Sequence, residues 1–259
     1  MLALSLIPLG LFAVVASTYR ITGGLFQDFA PSLFHLKHVL LPTVRRMGVE
    51  LEVRIIQPGF VPKGGGRIEL QIMPVKGSLK PLNQVSQGQV VSMRGIALSS
   101  QLKERNVSQR MGRECETVLK ARGFDPEIEL LDDERDKPAF DRPAVQPGAA
   151  LAVWAETDAG CLIGADMAGA RGRTAEFIGK QTAQDLLTDL GSGATVDRHL
   201  ADQVIPFAAL AKGTSTFRIP SVTEHVEARL WLVEKIVGAK SMIHENLVTI
   251  EGIGFLRER

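Results

Sequence analysis

The stretch TVDRHLADQVIPFAALAKGTSTFRIPSVTEHVEARLWLVEKIVG, from Thr195 to Gly238, holds three elements in a row. Its first part is an apolar run that predicts a helix, with Gly213 just beyond as a stop signal. Thr214 to Pro220 reads as a strand. From Ser221 onward Val226, Leu230, Val233 and Val237 recur at helical spacing, with Gly238 after them. Ser221 and Glu224 match a capping box, and Thr223 is the other candidate cap. With either cap, His225 falls in the first turn of that helix.

Working outward, the same order of signals occurs at the start of the chain. Ser17 to Gly24 reads as a strand running into a turn. Leu33, Leu36, Leu40 and Val44 make one apolar helix face that ends near Gly48. Val49 to Gly59 alternates as a strand, and a glycine turn leads into a second strand before Val75. Leu247 to Phe255 reads as a last strand. Two blocks of alternating helix and strand therefore flank the middle of the chain, which predicts a repeated α/β unit.

The middle differs in character. Ser100 to Gly123 reads as a charged, exposed helix, and Asp132 to Gly148 as a loop rich in charge and proline. Ala149 to Met167 reads as two strands about a turn at Asp158–Gly160, followed by a helix from Thr174 to Gly193. The expected division is 1–80 and 191–259 for the repeat region and 81–190 for a smaller inserted α/β unit.

Bulk properties bound the function. The 259 residues are 45% hydrophobic, ample for a packed core, and the net charge of +1 gives no basic field of the kind that grips long nucleic acid. A nucleic acid held only at one end would need no such field. Cys115 and Cys161 lie far apart without metal spacing, as expected of two buried thiols in a reducing compartment. The apolar start, MLALSLIPLGLFAVVAS, lacks a basic leader and is broken by Pro8 and Gly10. It reads as a core segment rather than a signal peptide or a membrane span.

Two places have residues suited to chemistry. Pro62 to Arg67 carries three glycines between a lysine and an arginine, and its amides can hold phosphate. A plain glycine-rich hairpin explains the same residues, and the turn lacks the GxxxxGK[ST] pattern. His225 stands at a helix N-terminus, which favours a nearby anion and a neutral imidazole, the state in which it attacks phosphorus. His199, Asp202 and Gln203 form a second polar cluster, from which Asp202 is placed to orient the far ring nitrogen of His225. Spacing alone favours an exposed surface histidine over a nucleophile.

The segments GFVPKGGGRIELQIMPV, GCLIGADMAGARGRTAEFIG, GATVDRHLADQVIPFAALAKGTSTFRIPSVTEH and the terminal IEGIGF together resemble the RNA 3'-terminal phosphate cyclase family. The resemblance is strong from about residue 48 onward and thin before it. It implies an α/β (α+β) fold of tandem β/α repeats, of the cyclase and enolpyruvate transferase type, with a thioredoxin-like α/β insertion. It implies an ATP-dependent ligase that turns an RNA 3'-terminal phosphate into a 2',3'-cyclic phosphate through a covalent histidine–AMP and an adenylated RNA end. The nucleophile corresponds to His225. The nucleotide-contacting segment corresponds to His199, Leu200, Ala201, Asp202 and Gln203, and the proline flanking adenine to Pro31. ATP, a divalent cation (magnesium or manganese) and RNA 3'-phosphate ends are the implied cofactors and partners. The implied location is the cytoplasm, or the nucleoplasm in a eukaryote, without membrane attachment.

Two departures bear on activity. His199 stands where the family usually has tyrosine. The family pattern also begins with a repeat, carrying acidic and arginine groups for metal and phosphates, that has no counterpart here. Weak turnover and an uncovered apolar face around Leu2, Leu4, Leu6 and Leu11 are therefore expected. The reading of a different class is a non-catalytic relative acting as a scaffold in RNA processing or ribosome biogenesis. Such relatives lack the nucleophilic histidine.

Overall fold

The computed structural model describes residues 2–28 and 30–257. Helix α1 (Leu2–Leu11) precedes strand β1 (Ser17–Gly23). Next come α2 (Leu33–His35), a π-helical stretch (Leu36–Leu40) and α3 (Leu41–Arg46), which follow one another without a break. Strands β2 (Glu50–Gln57) and β3 (Gly66–Met73) complete an antiparallel sheet of order β1-β3-β2. Inward and outward residues alternate regularly along β3, as a sheet with one buried face requires. Leu33, Leu36, Leu40 and Val44 are all buried, as their spacing predicts. Each such burial is worth about 1.5–3 kcal/mol relative to exposure.

The last part of the chain repeats this plan. Short helices α6 (Leu200–Gln203) and α7 (Ile205–Leu210) precede β9 (Lys212–Arg218), α8 (Glu224–Val237), β10 (Lys240–His244) and β11 (Leu247–Ile253). Their sheet runs β10-β11-β9 and adds the two-residue β4 (Asn83–Gln84) beside β9. In both blocks the third strand lies antiparallel between the first and second. The leading helix packs near that third strand, α1 on β3 and α7 on β11. Ile7-Pro8 of α1 and Ile205-Pro206 of α7 occupy like places, with both isoleucines fully buried. The predicted repeat is thus a helix–strand–helix–strand–strand unit. The apolar helix expected from Thr195 onward is replaced by two shorter ones starting at Leu200.

Between the blocks stands a third sheet, β6-β5-β7-β8, formed by β5 (Val90–Ser100), β6 (Glu127–Asp133), β7 (Gly148–Thr157) and β8 (Leu162–Ala168). Helices α4 (Val107–Lys120) and α5 (Ala175–Gly191) pack on one another and on this sheet. The charged helix read as exposed is only half so. Val107, Met111, Cys115 and Leu119 recur every fourth residue and are buried against the sheet. It also starts at Val107, because Ser99 and Ser100 still belong to β5.

The β7–β8 part of the sheet also meets the helix that runs through α2 and the π turn. His38 stacks on Trp154 with ring centroids 4.4 Å apart and an 11° interplanar angle. Burial, assisted by Lys37, takes His38 down to about 4, so the ring stacks in its neutral form. Gly164 makes the close approach feasible. A Cβ there would lie 2.7 Å from Val39 Cγ2 and 3.1 Å from His35 Cδ2. Gly164→Ala should therefore lower stability by about 1–3 kcal/mol, read as a lower urea midpoint at unchanged slope. An unchanged midpoint would mean that the helix yields freely.

Helix α1 buries Ile7, Gly10 and Leu11 and leaves Leu2 exposed. Of the residues expected on an uncovered apolar face, Leu11 is instead part of the core, with Leu4 packed at its margin. Among the described residues no helix is long and apolar enough to cross a membrane.

Candidate functional site

Thr223 is the cap of α8, its side-chain oxygen accepting the Val226 N–H at 3.3 Å. His225 consequently lies in the first turn with an exposed side chain, near backbone N–H groups that no helical carbonyl can satisfy. One turn further, Arg229 Nε lies 3.2 Å from Asp202 Oδ2, tying α8 to α6. Burial holds the Asp202 carboxyl above its ordinary value, against the opposing pull of Arg229, His225 and His199. Asp202 thus stands within electrostatic reach of His225, but its ion-pair partner is Arg229. The expected contact from Asp202 to the far nitrogen of His225 is absent from the side-chain bonds among the described residues.

The segment from His199 to Gln203 divides by depth. Leu200 and Ala201 are core residues whose backbone N–H groups bond to Asp197. Gln203 is also buried, and its Oε1 has no hydrogen-bond partner. His199 and Asp202 are the partly accessible members.

Two anchors fix this segment. Arg198 binds the buried Asp189 of α5 through its backbone N–H at 3.0 Å and its guanidinium Nη2 at 2.8 Å, and reaches Asp185 at 3.1 Å. Asp197 is fully buried on the other side. Its Oδ1 accepts the N–H groups of His199 and Leu200, both at 2.8 Å, and its Oδ2 accepts the Gly164 N–H at 2.9 Å. His35 Nε2 sits 3.0 Å from each oxygen of Asp197. Burial alone would raise the Asp197 carboxyl. The His35 charge and hydrogen bond, with help from His199 and the Leu200 N–H, outweigh it and bring the group to about 2. Burial alone would depress His35, but Asp197, then Asp166 and Asp202, hold it above its ordinary value. Neither His35 nor Asp197 was expected from spacing. They are 162 residues apart, and a histidine on an apolar helix face carries no local mark of its partner.

Pro31 precedes the N-cap Ser32, whose N–H donates to Asp166 Oδ2 at 2.6 Å. It opens on a cavity of about 230 Å³ between α1, the end of β1 and the start of α2, lined by Leu4, Thr22, Gly24 and Leu25 among others. No residue from 199 to 203, nor His225, lines that cavity. The structure brings Asp202 against Arg229, one turn along α8 from His225, and places Pro31 at the start of the helix that carries His35, whose ring meets His199. The glycine turn behaves as a hairpin. Gly64 and Gly65 have φ of 66° and 73°, and a Cβ on Gly66 would run into Leu25 and the Gly23 carbonyl. Local geometry explains all three glycines.

Among the described residues no group of three or more His, Cys, Asp or Glu side chains is arranged to hold a metal ion.

A family model described as RNA 3'-terminal phosphate cyclase matches residues 1–243. Among curated proteins, an RNA 3'-terminal phosphate cyclase of Staphylothermus marinus is 32% identical, with 96% of this chain aligned to 71% of that protein. One of Pyrobaculum aerophilum is 31% identical, over 98% of this chain and 71% of its own length. One of Caldivirga maquilingensis is 33% identical over 86% of this chain, and there the match spans 61% of the relative.

Proposed function

The chain belongs to the RNA 3'-terminal phosphate cyclase family, and from that premise we propose that it uses ATP to convert an RNA 3'-terminal phosphate into a 2',3'-cyclic phosphate. The observation that carries the reading is the ion pair between Asp202 of α6 and Arg229, which lies one turn along α8 from His225 in that helix's first turn. In the first step an unprotonated ring nitrogen of His225 attacks the α-phosphorus of ATP. The P–N bond forms, the bond to the bridging oxygen breaks, and pyrophosphate leaves. The ring's other nitrogen then releases its proton to solvent, which its exposure allows. The ion-paired Asp202 stabilises the positive ring as it forms, and the free N–H groups of the first turn of α8 favour the phosphate.

In the second step the ring takes a proton back from solvent, an oxygen of the RNA 3'-phosphate attacks the same phosphorus, and the P–N bond breaks with neutral His225 as the leaving group. In the third the vicinal 2'-hydroxyl attacks the 3'-phosphorus, loses its proton, and expels AMP. No step is assigned to a metal ion held by this chain.

The test is an RNA oligonucleotide ending in a 3'-phosphate, incubated with ATP. The expected product resists phosphatase, and one AMP and one pyrophosphate appear per end converted. Conversion that needs no ATP, or phosphatase-sensitive ends after prolonged incubation, would contradict the proposal.

A stacking role for His199 gives a separate expectation. Tyrosine offers more ring area, so His199→Tyr should tighten binding of a non-cleavable ATP analogue and His199→Ala should loosen it. Each change should be worth about 0.5–1.5 kcal/mol, or roughly 2–12-fold in affinity. Equal titration curves for the three proteins would place residue 199 away from the base.

A further inference from the structure

We propose that His35, acting through Asp197, is a positioning residue that sets the nucleotide-binding attitude of His199 and of the first turn of α6. This rests on the reading that His199 and Asp202 face the nucleotide. Helix α6 has only four residues, too few to hold a turn by its own hydrogen bonds. Its start is fixed from outside by Asp197, whose Oδ1 takes two successive N–H groups, those of His199 and Leu200. What fixes Asp197 in turn is His35, with Nε2 at 3.0 Å from both oxygens, together with the Gly164 N–H. His35 therefore acts on the backbone of residue 199 through one intervening group.

It also acts on the side chain directly. The rings of His35 and His199 meet edge to face, with centroids 5.6 Å apart and an interplanar angle of 83°. That contact seats the His199 ring against His35 on its core side. Packing alone does not require an ion pair here. His35 and Asp197 are 1% and 0% exposed, and a buried pair of this kind is often no more stable than apolar residues of the same volume. His35 Nδ1 is itself buried without a partner, a further cost that a purely structural choice would avoid. What the pair supplies is geometry. It links the helix beginning beside Pro31 and Ser32 to the helix bearing Asp202, across the sheet edge at Gly164.

The measurement is the affinity of the intact protein for α,β-methylene ATP, in wild type, His35→Phe, His35→Gln, His199→Ala and the double variant His35→Phe/His199→Ala. Phenylalanine keeps the ring volume and removes the bond to Asp197. Glutamine keeps a donor near Nε2. The expected result is a loss for His35→Phe of up to the size of that for His199→Ala, about 2–12-fold. His35→Gln should recover most of it. Because His35 acts through residue 199, the double variant should bind within about twofold of His199→Ala. Melting temperature, which any packing defect would lower, does not distinguish these cases, whereas rescue and non-additivity do.

Should His35→Phe fail to fold, His35→Asn serves as the loss variant, since its amide ends one methylene short of Asp197 and leaves room for a water. Wild-type affinity in the folded loss variant would overturn the proposal, as would full additivity with His199→Ala or a glutamine variant no better than the loss variant. A wild-type protein that does not bind the analogue overturns it too. A wild type that binds the analogue but never accepts AMP refutes the cyclase reading and leaves the positioning test intact.

Discussion

His225→Asn should abolish covalent capture of AMP and lower RNA-end cyclisation by about 10³-fold or more, as removal of a nucleophile does elsewhere. The side chain is exposed in the first turn of α8, with Thr223 holding the cap independently. An amide there buries no new polar group, and a surface change of this kind is usually neutral within about 0.5 kcal/mol. The variant should therefore melt with the wild type and still bind the ATP analogue. Loss of binding together with loss of labelling would point to a role in the pocket rather than in bond formation. Persistent labelling would move the nucleophile elsewhere.

Asp197→Ala should be the most destabilising single change in the site region, by about 3–5 kcal/mol, because it strands one partner of a buried pair and frees three backbone donors. Against a typical domain stability of about 5–15 kcal/mol, that is a large share. The loss should depend on pH in a direction set by both partners. Asp197 falls from 3.8 to about 2 on folding, so its contribution is present above the unfolded value and lost as pH drops through about 2. His35 is raised from 6.5, so its contribution is present below that value and lost as pH rises through the folded one. The gap in urea stability between wild type and variant should be widest from about pH 4 to about pH 6.5 and narrow on either side. A gap that stays constant from acid to alkaline pH would mean that the pair is not ionic.

Much of this fold is written in short-range patterns. β3 alternates strictly, the helix through Leu33 and Val44 shows its apolar face at regular spacing, and Thr223 with Gly238 brackets α8. Strand β5 escapes such reading. It lies in the middle of its sheet with its last residues, from Gly95 to Ser100, all buried, so no alternation marks its faces. β10 is short, and the polar residues of β6 and β10 merge with the adjoining loops. The position of His225 in a first turn was legible because capping is local. Its companions were less so. Arg229 looks like any surface residue of a helix until Asp202 is brought beside it, and the bond between His35 and Asp197 exists only after the first block and the last are packed together. Glycine-rich Pro62 to Arg67 shows the converse, since its composition suggests a phosphate loop while its backbone needs the glycines for turning and for contact with Gly23 and Leu25.

The central claim, that His225 carries AMP during an ATP-dependent reaction at RNA ends, meets its most direct test in the intact protein incubated with ATP and then digested and mapped by mass spectrometry. The account predicts one adenylyl group, released by acid and stable to alkali as a phosphoramidate is, on the peptide containing His225, and its discharge when RNA bearing a 3'-phosphate is added. An adduct on another residue, or a protein that binds ATP and takes up no AMP at all, would contradict it.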